Sequence, residues 1–110
     1  MKTLESIGRT AHEINAANGW EVFKPEDWQP FDNPNVPKLC THMALVHTEV
    51  AEATEAVRHR DAENFREELA DTIIRVASIA YGMGLDLESA INLKLAKNRE
   101  RGIHHGGKAV

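Results

Sequence analysis

The chain has 110 residues and a formal charge of −4, from 13 Lys and Arg against 17 Asp and Glu. That length is one domain with a modest core, short of the size at which a helical interior is self-sufficient, so association between copies is expected. A negative balance without a long basic run excludes a binder of nucleic-acid polymers, and no apolar run approaches membrane-spanning length.

The first twenty residues lack the unbroken apolar core of a secretion signal, and the lone Cys40 has no partner for an internal disulfide. Both point to a cytoplasmic protein. Leu4, Ile7, Ala11 and Ile14 recur at spacings of three and four, which predicts an amphipathic helix over 3–17 ended by Asn18-Gly19. From Trp20 to Pro37 the chain carries all four prolines with Asn, Asp and four aromatic residues. This stretch reads as an irregular loop with a short helical turn, of a length more often functional or a lid than plain linker.

Over 38–59, Leu39, Met43, Val46, Val50, Ala53 and Val57 trace an apolar stripe that predicts a long helix buried along that line. Leu45, Glu49, Glu52 and Ala56 run beside it. Arg58, His59 and Arg60 suit a helix C-terminus, and Asp61 can cap the next helix, so the connection is tight and the pair antiparallel. The helix over 62–82 is apolar almost all round, which predicts a central, buried one; its polar row is Glu68, Asp71, Arg75 and Ser78. Gly82 and Gly84 stop it, Asp86 caps a last helix, and Gly102 is expected to end that helix before a flexible tail from Ile103 to Val110. The expected architecture is an all-α bundle of four main helices around an antiparallel hairpin. Residues 1–37 form an N-terminal helix and aromatic loop, and 38–102 the core.

Glu49 and Glu52 mirror Asp71 and Glu68 through Arg60. In an antiparallel hairpin Glu52 meets Glu68 at one level, and Glu49 meets Asp71 one turn further on. Residues three apart on a helix are neighbours, so each pair offers two oxygens on one side. Four converging carboxylates need protons or a cation to offset their repulsion. A cage of oxygens without His or Cys favours Mg²⁺, with Mn²⁺ as a substitute, over zinc. The absence of Glu-x-x-His argues against di-iron chemistry. In the last helix the face of Leu87, Ala90 and Ile91 continues as Lys94, Asn98 and Arg101, with Lys97 beside it, so an apolar stripe turns cationic and points to an anionic ligand.

The segments T-E-V-A-E-A-T-E-A at 48–56, E-E-L-A-D at 67–71 and K-L-A-K-N-R-E-R at 94–101 resemble the MazG-like all-α nucleoside triphosphate pyrophosphohydrolases, over roughly residues 40–108. The resemblance implies that Glu49, Glu52, Glu68 and Asp71 hold metal and that Lys94, Asn98 and Arg101 contact phosphate. Thr48 stands where the family often has a further Glu, which passes the general-base role to Glu49, Glu52 or Glu55. The implied reaction is hydrolysis of a nucleoside triphosphate between its α and β phosphates by a homodimer or homotetramer with intertwined helices. Trp20, Phe23 and Trp28 are candidates to stack on the base. A His followed by a Trp, as in the deoxycytidine triphosphatase branch, is similar to His12 and Trp20.

Each assignment has a structural alternative. The acids can be a solvated face paired with Arg58, Arg75 or lysines, the basic residues can serve the helix dipole, and the tryptophans can anchor the loop. Two functional rivals stand beside the main reading: phosphoribosyl-ATP pyrophosphohydrolase, and a non-catalytic helical module that binds nucleotide or protein.

Overall fold

In a computed structural model, which describes residues 3–27 and 36–104, the chain is all-α. Helix α1 spans Leu4–Ala17, a 3₁₀ turn spans Pro25–Asp27, and α2, α3 and α4 span Val36–Arg58, Ala62–Gly82 and Leu87–His104. No described helix is long and apolar enough to cross a membrane.

Local chemistry sets these boundaries. The Thr3 hydroxyl accepts from Ser6 N at the start of α1, and Asp61 and Asp86 do the same for Asn64 N and Ser89 N at the starts of α3 and α4. Each satisfies one of the donors that a helix N-terminus leaves unpaired. The turn between α2 and α3 is as short as its basic and acidic residues predict, and Arg60 sits in it at φ 54°, the left-handed conformation that lets the chain reverse. Helix α2 starts two residues earlier than the periodicity indicates, because Pro37 falls in its first turn, where no amide hydrogen is needed. Gly102 does not end α4, which continues to His104. A glycine costs a helix only about 1 kcal/mol, so without a left-handed turn it need not stop one. Trp28, and the tail from His105, lie outside the described residues.

Helix α3 is the hub, packing on α1 along one side and on α2 along another. The approach of α1 is close enough that Gly8 is obligatory: a Cβ there would stand 2.9 Å from the Ala77 carbonyl carbon and 2.9 Å from Tyr81 Cβ. The core is built from small residues at these crossings, with Ala11, Ala53, Ala56, Ala77 and Ala80 buried, together with Phe23 and Met83.

The buried lines differ from those the periodicity indicates. On α2 the seam runs through Ala53 of the expected stripe and Ala56 of the row beside it, while Met43, Val50 and Val57 of that stripe are 44–56% exposed. On α3 Leu69, Ile73 and Ile74 are likewise uncovered, so this helix is central but not buried. The reason is geometric: two neighbours cover only part of a helix, and α4 does not supply a third. It meets α1 at its first turn, where Leu4 N donates to Glu88 Oε1 at 3.1 Å. Beyond that turn it stands away from the bundle with Leu93 and Leu95 exposed.

The segment between α1 and α2 is pinned to both. Lys38 Nζ donates to Val22 O and to Asp27 Oδ2, both at 3.0 Å, and lies 4.9 Å from the Phe23 ring centroid. Lys24 N also donates to Asp27 Oδ2, and the Lys38 ammonium and this amide hold the Asp27 carboxyl below the usual carboxylate range.

Candidate functional site

The hairpin brings together the carboxylates that mirror one another across Arg60. Glu49 on α2 and Glu68 and Asp71 on α3 each present an oxygen, and the three oxygens lie within 4.8 Å of one another. Glu52, one turn along α2 from Glu49, is exposed and is not among these three converging oxygens. The Glu68 carboxyl is pushed up to about 7, first by the neighbouring Glu52 carboxyl, then by its burial, then by Glu49. One group in this cluster therefore retains a proton near neutrality, as like charges at short range require.

Glu68 Oε2 is buried with no hydrogen-bond partner among the described residues. A buried carboxylate oxygen without a donor is costly. A hard divalent ion among Glu49, Glu68 and Asp71 would satisfy it and displace the retained proton, so both the donor set and the orphaned oxygen fit Mg²⁺ or Mn²⁺.

A cleft of about 650 Å³ opens from this cluster between α3, α2 and the segment after α1. Glu49, Asp71 and Arg75 line one end; Asn15, Trp20, Glu21, Val22, Phe23 and His42 line the other. Trp20 is 63% exposed and has a face available to a ligand. Phe23 is 4% exposed and packs edge-on against His42, with ring centroids 4.6 Å apart, so it backs the wall instead of offering a stacking surface.

His12 is not among the residues lining the cleft. Its Nε2–H donates to Phe23 O at 3.3 Å and its ring meets the edge of Tyr81 at 5.4 Å, which ties the wall to α1 and α3 from behind. The cationic row of α4 also stands apart. Lys94, Lys97, Asn98 and Arg101 are exposed, none lines the cleft, and none forms an ion pair among the described residues.

Two side-chain pairs lie in the cleft; a pairing of the acids with Arg75 was among the alternatives the sequence offered, whereas that of His42 with Glu21 was not. Arg75 Nε donates to Glu49 Oε1 at 3.1 Å, crossing between the helices instead of pairing with Asp71 along α3. His42 Nε2–H donates to Glu21 Oε1 at 2.8 Å. Spacing held a signal for each: Arg75 lies four residues after Asp71, and His42 seven before Glu49, so both share the face of an acidic residue.

The profile of the MazG nucleotide pyrophosphohydrolase domain matches residues 38–105. That is more than half of the chain, and the chain belongs to this family. No curated protein and no solved structure matches it. The matched span contains the whole acidic cluster and the basic row of α4, whereas the cleft wall formed by Asn15 and Trp20 to Phe23 precedes it.

Proposed function

We propose that the chain is a nucleoside triphosphate pyrophosphohydrolase, dependent on Mg²⁺ or Mn²⁺, that cleaves between the α and β phosphates to release a nucleoside monophosphate and pyrophosphate. The observation that carries this reading is the convergence of Glu49, Glu68 and Asp71 oxygens within 4.8 Å at the end of a cleft, in a chain of this family.

Glu49, Glu52, Glu68 and Asp71 hold the metal in this reading. When bound, the ion withdraws charge from phosphate oxygens and lowers the pKa of a coordinated water. Glu49 and Glu52 are the carboxylates placed to accept the proton of the attacking water, since Thr48 offers no base. Trp20 stacks on the base, with Phe23 buried behind it, and Asn15, Glu21 and His42 supply polar contacts at its edge. His12 acts by fixing this wall. Trp28 stays a base-stacking candidate on the sequence alone.

The phosphate contacts of Lys94, Asn98 and Arg101, with Lys97 beside them, come from a second copy of the chain. In support, these side chains do not line the cleft of their own chain, and α4 and the α2–α3 hairpin both leave apolar surface uncovered. A homodimer or homotetramer whose copies exchange α4 completes each site. Residues 38–102 are then the catalytic core and 1–37 the base wall.

The test is pyrophosphate release from a panel of ribo- and deoxyribonucleoside triphosphates with Mg²⁺, with and without chelator, in wild type, Glu52→Gln and Asp71→Asn. Release that needs the metal and both carboxylates supports the reading. A folded, metal-binding wild type that releases pyrophosphate from no triphosphate overturns it and favours a binding module, and release confined to phosphoribosyl-ATP reassigns the substrate.

A further inference from the structure

The cleft needs positive charge where a triphosphate would lie, and α4 gives its own chain none there. Among the described residues lining the cleft, Arg75 is the one side chain with permanent positive charge. It leaves α3 one turn beyond Asp71 and lines the cleft beside Glu49 and Asp71.

Its bonding is informative. A guanidinium that only neutralises a carboxylate usually does so as a fork, with two parallel N–H bonds to two oxygens. Here Nε alone donates, to Glu49 Oε1 at 3.1 Å, and no acceptor among the described residues engages the terminal nitrogens. Glu49 is nearly covered, with 12% of its side chain exposed, while Arg75 is 41% exposed. The carboxylate thus fixes the near edge of the guanidinium and leaves the far edge, with its four N–H donors, open to the cleft. A planar group anchored at one edge is pre-organised to grip phosphate oxygens with the other, which lysine cannot reproduce.

We propose that Arg75 is a phosphate-contacting residue, presented by the same chain that holds the acidic cluster and oriented by Glu49, so that each site grips its triphosphate in cis through Arg75 and in trans through α4. This deepens the functional reading above and rests on its placement of a triphosphate in the cleft. It also gives Glu49 an orienting role beside its place in the acidic cluster.

The test separates anion binding from turnover. Calorimetry would measure Mn²⁺ alone, then inorganic tripolyphosphate at saturating Mn²⁺, on the full chain in wild type, Arg75→Gln and Arg75→Lys; circular dichroism melts check folding. Tripolyphosphate carries no base, so an unknown base preference does not enter. The expected result is a loss of about 10- to 100-fold in tripolyphosphate affinity for Arg75→Gln, a smaller loss for Arg75→Lys, and Mn²⁺ affinity within about 3-fold of wild type. Unchanged tripolyphosphate affinity overturns the proposal, and so does a loss matched by an equal loss of Mn²⁺ affinity, which would make Arg75 a support for Glu49 only. If wild type turns over nucleotides while Arg75→Gln binds tripolyphosphate normally, Arg75 falls and the activity stands. If the affinity falls as expected but no nucleotide is hydrolysed, Arg75 stands and the activity falls. Wild type that binds no tripolyphosphate overturns both.

Discussion

Replacing Gly8 by alanine probes the contact on which the cleft wall depends. An added Cβ would lie 2.9 Å from the Ala77 carbonyl carbon and from Tyr81 Cβ, and closer still to Ala77 O. Carbon atoms rest about 3.5–4.0 Å apart, so α1 must lift by the better part of an ångström. The obstacles are a helix backbone and a Cβ, neither of which can rotate aside. Overpacking of this kind costs about 1–3 kcal/mol, and alanine returns up to about 1 kcal/mol of helix propensity. The balance is a destabilisation of about 1–2 kcal/mol, which in a domain of this size lowers Tm by roughly 5–15 °C. Because His12 leaves α1 to hold Phe23 O, the lifted helix draws the wall back. KM should then rise while Mn²⁺ affinity holds. A scanning calorimetry or circular dichroism melt gives the stability. A Tm equal to or above wild type would refute the reasoning, since helix propensity would then prevail and the two helices could not be seated this closely.

Glu68 yields a pH signature. Its carboxyl is raised to about 7, so between the usual carboxylate range and that value the folded, metal-free chain holds a proton the unfolded chain has released, and stability falls as pH rises through this window. Urea unfolding in chelator from roughly pH 5 to 8 should show that slope in wild type and lose it in Glu68→Gln; Mn²⁺ binding below the window's upper edge should release about one proton, and an unchanged slope in the variant would contradict the assignment. Leu93 and Leu95 are 66% and 56% exposed, and burying a leucine is worth about 2 kcal/mol, so Leu93→Asp/Leu95→Asp should shift the assembly toward monomer in sedimentation equilibrium; an unchanged mass excludes α4 from the interface. Asp71→Asn and Arg101→Ala should each abolish pyrophosphate release alone and regain part of it when unfolded together and refolded as a mixture, because one copy then supplies intact acids and the other an intact α4. No recovery, with mixed assemblies confirmed by mass, would place both residues in one chain's site.

Local chemistry made much of the architecture readable. Asp61 and Asp86 announce the starts of their helices and do cap them, and the mirror spacing about Arg60 foretold the approach of Glu49 to Asp71. Periodicity found every described α-helix, yet it placed the buried lines only in part. A stripe such as Met43, Val50 and Val57 states which residues share a face but not what covers it, and within one chain little does. The seam takes Ala53 from that stripe and Ala56 from the row beside it, because small side chains let α2 and α3 approach. The cross-helix pairs were harder to foresee. Arg75 had an acid four residues away on its own helix, and only the packing of α2 against α3 makes Glu49 the nearer partner. The role of His12 was similarly underdetermined: a histidine followed by a tryptophan fits a base pocket, but the tight seat of Gly8 turns the ring toward Tyr81 and the Phe23 carbonyl.

The uncovered surfaces and the divided charges point the same way. An 18-residue helix is marginal in water by itself and owes its stability to an apolar face buried against a neighbour. Among the described residues, helix α4 meets α1 at its first turn and leaves Ile91, Leu93 and Leu95 exposed; the hairpin leaves Val50, Val57, Leu69 and Ile73 exposed. Each lacks what the other offers. The charges are divided in the same manner, with carboxylates and one arginine at the cleft and the row Lys94, Lys97 and Arg101 on α4. Were that row folded against the acids of its own chain, the two sets would neutralise each other directly and leave less attraction for a metal and a polyanion. Delivered from a second copy across a bound triphosphate, the cations face phosphate instead of carboxylate. Assembly, on this reading, is what keeps the acidic cluster available for its ion and the basic helix available for the substrate.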